Sequence, residues 1–360
     1  MFFCGCAKHT KKDSRIKLSS GPSVTLNESP EFFINNLSPI NQGISNWREL
    51  EKSIDKSLAY VSTKPENGYA IKRKKLSITW GILKNSLEKL KRLLPELDKN
   101  PKILLEQFKW VKIDEGIDYS GYYEPVVKAS RTKKPGYEQA IYKLPPDLNR
   151  IKAKRRGKYY DRRTIEEKQI LAGRNLELAW AADPVDVFYL EIQGSGKLLF
   201  DDGTSTYVNY AGQNGYKYKS SGKIMREKGL LQRGDIFEQR EWFKNNPSRV
   251  KEILYDNPSY VFFKFGNGGS TGAMGAIVDS WRSLASDRKF IPLGSIVAFG
   301  VDIPYEQGGT IPLRGIGFSQ DVGGAIKKNR IDIFCGEDER ACYVASHLDA
   351  KGPAWVLLAR

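Results

Sequence analysis

Two aspartates in the segment QDVGGAIKKNRIDIFCG, residues 320–336, are the side chains of this sequence best suited to acid–base chemistry. Asp321 precedes a Gly-Gly turn, and Asp332 interrupts an apolar run between Ile331 and Ile333. Because strand propensity disfavours a carboxylate at such a position, its presence indicates a task. The chain contains only 2 histidines, which nearly excludes histidine-based triads and leaves carboxylates as the predicted catalytic groups.

The cysteines and the glycine-rich segment predict neither a metal nor a cofactor. Cys4 and Cys6 lie near the start, and Cys335 and Cys342 are too far apart for a CxxC pair. The segment GNGGSTGAMG, residues 266–275, lacks the residue order of a phosphate-binding loop. Whether Cys335 and Cys342 pair is left open by the sequence.

Composition indicates a folded protein with about two domains and an anionic partner. The chain has 360 residues, of which 40% are hydrophobic and 11% aromatic. Its net charge of +16 favours nucleic acid, an anionic membrane or an acidic wall polymer. No nucleic-acid-binding motif occurs, so no nucleic-acid partner is expected. No apolar run approaches the roughly 20 residues that span a bilayer.

The elements that must position the acids are predicted to be mainly strands. Residues 1–44 indicate a flexible, polar tether. Helices are predicted from Asn46 to about Tyr60 and from about Lys75 to Leu97. From about Phe108 onward, short apolar runs such as VDVFYLEIQGSG and SYVFFKFGNGG alternate with turns, which favours β-barrels or sandwiches. Helical interludes are predicted near 162–172 and 238–254.

Two further features of the sequence admit two interpretations each. The start FFCGC is similar to the end of a lipoprotein signal, with Cys6 as the lipidated residue if the true start lies upstream; it is equally compatible with an arbitrary start. The basic segment 129–163 is either a solvated face or the wall of a groove facing an anionic partner.

Four stretches share the residue types that bind sugars: amides, carboxylates, tyrosine rings and glycines that allow close approach. They are YSGYYEPVVKAS (119–130), FYLEIQGSGKLLFDDG (188–203), YAGQNGYKYKSSGK (210–223), and the pair LASDRKFIPLGSIV (284–297) and SQDVGGAIKKNRIDIFCG (319–336). Taken singly, each is a polar turn between strands.

Taken together, these stretches resemble the membrane-bound lytic murein transglycosylase A family, and the last resembles the three-aspartate (3D) domain. The resemblance runs from about Gly121 to Val356 and is strongest in the following segments: GYYEP (121–125), IQGSG (192–196), YAGQNG (210–215), ASDRKFIPLG (285–294) and DVGGAIKKNRIDIF (321–334). Lys328 departs from the glycine usual in the family, which is expected to rigidify its turn.

The resemblance implies a fold. The family pattern is a discontinuous double-psi β-barrel, here residues 45–122 and 264–360, preceded by the tether. A second, β-barrel-like domain is inserted at 123–263, and a glycan groove lies between the two domains.

The resemblance also implies residue roles. Asp332 corresponds to the catalytic acid, Asp321 to a neighbouring carboxylate that raises its pKa, and Asp287 to a structural aspartate. The residues expected to line the groove are Tyr123, Gln193, Ser195, Gly196, Tyr210, Asn214 and Tyr218. Turn formation and barrel packing stay open as alternative roles for each of them.

The implied activity is cleavage of the β-1,4 bond between N-acetylmuramic acid and N-acetylglucosamine, leaving a 1,6-anhydro sugar. Peptidoglycan strands are the implied partner of a monomeric, periplasmic lipoprotein anchored in the outer membrane. Two alternatives are a hydrolase using Asp321 and Asp332 as a carboxylate pair, and a wall-binding protein without activity. A nucleic-acid binder is favoured only by the net charge.

Overall fold

The computed structural model describes residues 21–73 and 76–360, in which helix and strand each account for about 30% of residues. The helices are α1 (Pro30–Asn35), α2 (Glu51–Val61), α3 (Trp80–Leu97), α4 (Ile103–Gln107), α5 (Leu148–Lys154), α6 (Arg162–Glu166), α7 (Pro184–Gln193), α8 (Ser221–Glu227), α9 (Ile236–Asn245), α10 (Val250–Tyr255) and α11 (Glu339–His347). Short 3-10 turns occur at Trp47–Leu50 and Pro247–Arg249. The chain is therefore mixed α/β, and the prediction of a mainly β chain is wrong.

The strands form two main sheets and a hairpin. They are β1 (Tyr69–Arg73), β2 (Leu76–Thr79), β3 (Phe108–Lys112), β4 (Ile117–Tyr123), β5 (Val126–Ser130), β6 (Gln139–Tyr142), β7 (Glu177–Ala181), β8 (Ser195–Phe200), β9 (Ser205–Gln213), β10 (Val261–Gly266), β11 (Ser283–Ser286), β12 (Ile296–Pro304), β13 (Thr310–Asp321), β14 (Arg330–Gly336), β15 (Ala350–Gly352) and β16 (Ala354–Ala359). One sheet has the order β10-β9-β8-β5-β7-β6, the other β15-β4-β14-β11-β13-β12-β16-β3, and β1 pairs with β2.

The chain forms two compact units. Unit 1 comprises Glu124–Ser270 and contains the six-stranded sheet. Unit 2 comprises the described residues up to Tyr123 together with Thr271–Arg360, and contains the eight-stranded sheet. Each sheet carries its own buried apolar core, with Val127, Leu198 and Phe263 in the first.

The run VDVFYLEIQ, predicted as a strand, is helix α7 of unit 1. Asp183 caps its first turn by accepting a hydrogen bond from the amide of Val185, Pro184 stands at the first helical position, and Gly194 ends it with φ of 81°. Because this helix is buried on most of its surface, its apolar residues show no helical period. The capping residues Asp183, Pro184 and Gly194 indicate a helix, and this indication was a better guide than the apolar run, which had predicted a strand.

Other predicted helices differ from the structure in their limits. The first predicted helix begins with the 3-10 turn and continues as α2 to Val61. The second begins only at Trp80, capped by Thr79, because the β1–β2 hairpin precedes it. In unit 1, α6 ends at Glu166, and the interlude at 238–254 is two helices, α9 and α10.

Residues 21–44 are an integral part of unit 2, so the prediction of a flexible tether is wrong for them. The buried Arg314 on β13 contacts Glu28 at 2.5 Å, and its Nη1 donates to the carbonyl of Pro22 at 3.0 Å. The buried Gln42 exchanges hydrogen bonds with the backbone of Ile316. These contacts satisfy groups that would otherwise be buried unpaired. Cys4, Cys6 and the rest of residues 1–20 lie outside the described residues.

None of the helices in the described part of the chain is long and apolar enough to cross a membrane.

Candidate active site

Asp321 and Asp332 lie on strands that flank β11 in unit 2. Ala285 on β11 is in register with Asp332 on the antiparallel β14 and with Asp321 on the parallel β13. Neighbouring strands are about 4.8 Å apart, so the two aspartate Cα atoms are about 10 Å apart. The register between β11 and β13 shifts just before Ala285, and it is the hydrogen bond from Tyr122, which shares the face of Asp332, that places Asp321 on the same side. Because alanine is small, little bulk separates the carboxyl groups. The sheet therefore brings the two predicted acids together.

Asp332 has the properties of a group that can donate and accept a proton near neutral pH. Burial raises its pKa to about 7; a hydrogen bond from Ser120 and the charge of Arg330 oppose the shift, and the charge of Asp321 adds to it. Its Oδ1 is buried and has no hydrogen-bond partner among the described residues. A carboxyl group in this state is close to half protonated at neutral pH.

Asp321 is held as a hydrogen-bond acceptor at the end of β13. Its Oδ1 accepts from the amides of Ala273 at 2.9 Å and Val322 at 2.8 Å. Its Oδ2 accepts from the hydroxyl of Tyr122 at 3.1 Å. Burial raises the pKa of Asp321, while these three bonds act in the opposite direction. Both oxygens are thus engaged within unit 2.

Tyr122 and Ser120 on β4 complete the cluster, and sequence reasoning missed both. β4 pairs with β14 so that Ser120 is in register with Asp332. Burial, followed by the charges of Asp321 and Asp332, raises the pKa of Tyr122 well above its usual value. The period of two along a strand places Ser120 and Tyr122 on one face. This alternation along β4 is the feature of the sequence that could have identified Ser120 and Tyr122.

Tyr123, predicted to line the glycan groove, lies on the opposite face of β4 and is only 6% exposed. It belongs to the buried part of unit 2, which favours a packing role over a sugar contact.

Asp287 ties two turns of unit 2 together. Its Oδ1 accepts from the amide of Lys289 and its Oδ2 from the amide of Lys328, both at 3.0 Å. Burial acts to raise its pKa, but these two bonds and the charges of Lys327 and Lys289 lower the pKa below its usual value. This arrangement agrees with a structural role.

Three of the residues predicted to bind sugar lie in the interior of unit 1. Asn214 is fully buried; its Nδ2 donates to the carbonyls of Tyr160 and Pro258 at 2.9 and 2.8 Å, and its Oδ1 accepts from the amide of Tyr260 at 3.1 Å. With these bonds made, the side chain of Asn214 is engaged within unit 1, which favours a structural role over the predicted sugar contact.

Ser195 and Gly196 of unit 1 also have internal tasks. The hydroxyl of Ser195 donates to Ser270, which in turn donates to Glu124. A Cβ added to Gly196 would lie 2.7 Å from the backbone oxygen of Pro125 and 2.5 Å from a methyl of Leu190, so close packing requires glycine there. These contacts favour packing roles for Ser195 and Gly196, and sugar contact by these two residues stays a prediction.

The remaining predicted sugar contacts stay accessible in unit 1. Tyr210 on β9 is 50% exposed and Tyr218 is 41% exposed. The Tyr218 hydroxyl forms hydrogen bonds with Ser220 and Ser221. Gln193 is half-buried at the end of α7.

No group of three metal-ligating side chains occurs within residues 21–73 and 76–360. Cys335 and Cys342 are both buried, and they do not form a disulfide with each other.

Comparison with protein families finds two matches that together span most of the site. A domain described as the MltA specific insert domain matches residues 118–264. A domain described as the 3D domain matches residues 282–358, which include Asp287, Asp321 and Asp332.

Known proteins agree with these matches. Membrane-bound lytic murein transglycosylase A of Escherichia coli strain K12 is 33% identical over 249 residues, 67% of this chain and 65% of the relative. The chain thus matches slightly under two thirds of that relative's length.

A lytic murein transglycosylase structure from Agrobacterium tumefaciens is 26% identical, with a TM-score of 0.76 over 94% of this chain and 97% of that one. The structure of E. coli MltA with bound chitohexaose shares the fold at 24% identity, with a TM-score of 0.71 over 86% and 90% of the two chains. The resemblance seen in the sequence is confirmed: this chain belongs to the membrane-bound lytic murein transglycosylase A family.

Proposed function

We propose that this chain is a lytic transglycosylase that cleaves the β-1,4 bond between N-acetylmuramic acid and N-acetylglucosamine in peptidoglycan. The observation that carries the proposal is Asp332, a buried carboxyl with a pKa of about 7 and one oxygen that accepts no hydrogen bond from any described residue. A general acid works best when its pKa is near the working pH. Membership of the family supports the choice of substrate.

In the proposed reaction, Asp332 serves first as acid and then as base. Its proton passes to the glycosidic oxygen as the bond from that oxygen to the anomeric carbon of muramic acid breaks. The 6-hydroxyl oxygen of the same muramic acid then bonds to the anomeric carbon, and its proton passes to the Asp332 carboxylate. No water is consumed, and the product carries a 1,6-anhydro ring. Intramolecular attack gains from the high effective molarity of oriented groups.

Asp321 and Tyr122 are proposed to tune Asp332. The Asp321 charge raises the pKa of Asp332, whereas the hydroxyl of Ser120 lowers it. The hydrogen bond from Tyr122 keeps the Asp321 carboxylate in place. Asp332 sits within a strand paired on both sides, so little reorganisation accompanies proton transfer.

The alternative of a two-carboxylate hydrolase requires Asp321 to orient a water molecule. Its Oδ1 already accepts two backbone amides and its Oδ2 accepts the Tyr122 hydroxyl. A base engaged in this way is poorly placed to take up a water proton. This arrangement favours the single-acid reaction.

We further propose that the eight-stranded sheet of unit 2 is the double-psi β-barrel of the family and that unit 1 is the inserted β-domain. The predicted boundaries, 45–122 with 264–360 and 123–263, stay predictions.

The proposed partner is the glycan strand of peptidoglycan, in line with the chitohexaose bound to E. coli MltA. Gln193, Tyr210 and Tyr218 stay candidate sugar contacts because unit 1 leaves them partly accessible. The proposed location is the periplasmic side of the outer membrane, with a lipid on Cys6. The protein is proposed to act as a monomer without a cofactor.

The test is mass spectrometry of purified peptidoglycan digested with the protein. The expected products are muropeptides with 1,6-anhydromuramic acid ends. Products heavier by one water would replace the proposal with the hydrolase. Binding without any product would identify a wall-binding protein.

A further inference from the structure

A group of five exposed or half-exposed cations surrounds the end of β14 from which Asp332 projects. They are Arg288, Lys289, Lys327, Lys328 and Arg330, here called the cationic rim. Arg288 and Lys289 lie in the turn after β11, and the others lie in the turn before β14 or at its first residue. Because β11 and β14 are antiparallel neighbours, these two turns meet at one end of the sheet in unit 2.

Specific contacts hold the two turns of the cationic rim in place. The side chain of Asp287 bonds the backbone amides of Lys289 and Lys328 at 3.0 Å each, which joins the two turns. Arg73 of the β1–β2 hairpin stacks over Phe290 at 4.0 Å and donates to the carbonyl of Lys289. These contacts fix the backbone and leave the ammonium groups of the lysines outward.

Lys328 adds a second observation. Its φ is 56°, in the left-handed region where a residue with a side chain is disfavoured. Such a conformation persists only where the surroundings hold it, and here the side chain of Asp287 accepts a hydrogen bond from the Lys328 amide. Here the strained position carries a cation.

Lys289 and Lys327 lie near enough to Asp287, and Arg330 near enough to Asp332, to influence the pKa of those carboxyl groups, but the rim cations form no ion pairs with them. None of the ion pairs formed among residues 21–73 and 76–360 includes any of the five side chains. Arg330 precedes Asp332 by two residues, so the two share a face of β14 about 7 Å apart along the strand. A ligand at Asp332 therefore meets concentrated positive charge.

We propose that the cationic rim binds carboxylates on the muramic acid substituents of the glycan, and so selects anionic strands over neutral chitin-like strands. The carboxylate belongs either to the lactyl group of a peptide-free strand or to an attached peptide. This inference rests on the proposed function, because it places the muramic acid next to Asp332. A neutral oligosaccharide of N-acetylglucosamine offers no such group.

The test measures binding with the Asp332→Asn protein, in which cleavage is blocked. Four ligands are compared: chitohexaose, peptide-free strands with lactyl carboxylates, the same strands with those carboxylates amidated, and peptide-bearing strands. The rim variant is Lys327→Gln with Lys328→Gln, which keeps the Lys328 amide that Asp287 binds. The matched control is Lys99→Gln with Lys102→Gln, two exposed lysines between α3 and α4 of the same unit.

With an intact rim, we expect carboxylate-bearing strands to bind about 3–30-fold more tightly than amidated strands, the range that a few exposed ion pairs supply. The advantage should shrink as salt rises. The rim variant should lose most of this preference for carboxylate-bearing strands, whereas the control variant should keep the preference. Comparison of peptide-free with peptide-bearing strands identifies which carboxylate is bound.

Three outcomes would overturn the inference. The rim variant could keep the full advantage, or it could lose chitohexaose affinity to the same extent, which would indicate general damage. Alternatively, rim-dependent binding to phosphatidylglycerol vesicles without any preference among strands would assign the rim to a membrane surface. Product analysis with the unmutated protein is independent: absence of anhydro ends refutes the proposed function, while equal binding of charged and amidated strands refutes only the rim.

Discussion

At the residue scale, Asp332 illustrates how burial within a strand raises the pKa of an ordinary carboxyl group to about 7. We expect Asp332→Asn to lower turnover on peptidoglycan by about two to four orders of magnitude, because acid–base catalysis contributes about that much. Asparagine keeps the shape of the side chain, so glycan affinity should stay close to that of the unmutated protein. Single-turnover rates and binding constants, measured on one substrate, check both statements.

The matched comparison is Asp321→Asn, which should reduce the rate less and shift the pH–rate profile. With the Asp321 charge gone, the pKa of Asp332 should fall, so the alkaline limb of the profile should move to lower pH. If Asp321→Asn is inactive while Asp332→Asn keeps more than about a tenth of the rate, the two assignments must be exchanged.

The same residue predicts a stability effect with a definite sign. The pKa of Asp332 is about 7 in the fold and about 3.9 in the unfolded chain, so the folded state holds more protons between these values. Stability contributed by this group therefore falls as pH rises from about 4 to 7. We expect Asp332→Asn to raise Tm at pH 8 and to raise it less at pH 5. An equal shift at both pH values would argue against a strongly raised pKa.

At the element scale, β4 must approach α11 closely to place Ser120 and Tyr122 beside the acids. A Cβ on Gly121 would lie 2.8 Å from the Cα of Ala345 and 3.0 Å from the sulfur of Cys335. Gly121→Ala should therefore cost about 1–3 kcal/mol of unfolding free energy and lower activity through displacement of β4. Urea denaturation measures the cost. Gly324→Ala, where an added Cβ meets nothing within 4 Å, should be close to neutral.

The segment before α1 is a second element whose contribution can be measured. Arg314 and Glu28 are both buried. The Nε and Nη2 groups of Arg314 donate to the two carboxylate oxygens of Glu28. Glu28→Gln should cost about 3–5 kcal/mol, because it leaves the arginine charge buried without its counterion. Thermal denaturation should show the loss, whereas Glu31→Gln, which is exposed in the first turn of α1, should change little.

At the scale of the whole molecule, each unit depends on its own interior. In unit 1, the buried Arg162 faces two buried carboxylates, with Nη1 2.8 Å from Glu166 and Nη2 2.7 Å from Glu191. One positive charge cannot offset two negative charges, and burial raises the pKa of Glu191 to about 7 despite the arginine. Unit 1 therefore has a charge balance that should respond to pH.

We expect Arg162→Met to destabilise unit 1 strongly at pH 8, with part of the loss recovered at pH 5. Removal of the cation leaves the two glutamates buried as anions at high pH, and protonation relieves them as pH falls. Tm measured at both pH values, with limited proteolysis to locate cuts within 124–270, checks this. Arg163→Met, at a neighbouring exposed arginine, is the control; equal losses in both variants would contradict the argument.

Part of the site could be predicted from the sequence because the chemistry is local in the chain. Asp332 stands out because a carboxylate within an apolar strand is disfavoured wherever the strand lies. The turn Asp287-Arg288-Lys289 and the Gly-Gly turn after Asp321 carry their own conformational signals. The family was recognisable for the same reason, since its motifs are short and ordered along the chain.

Only the tertiary structure decided which of these residues meet. Asp321 and Asp332 share a site because both strands pair with β11 at Ala285, and strand register is not encoded in either strand alone. Asn214 lies in the interior of unit 1 and Tyr122 lies beside Asp321, and neither position could be foreseen because burial depends on what packs against each residue. The run now forming α7 lost its helical period because it is buried nearly all round. The residue types that carry out the chemistry can be identified from short stretches of sequence. Strand pairing and side-chain burial cannot, because they depend on residues far apart in the chain.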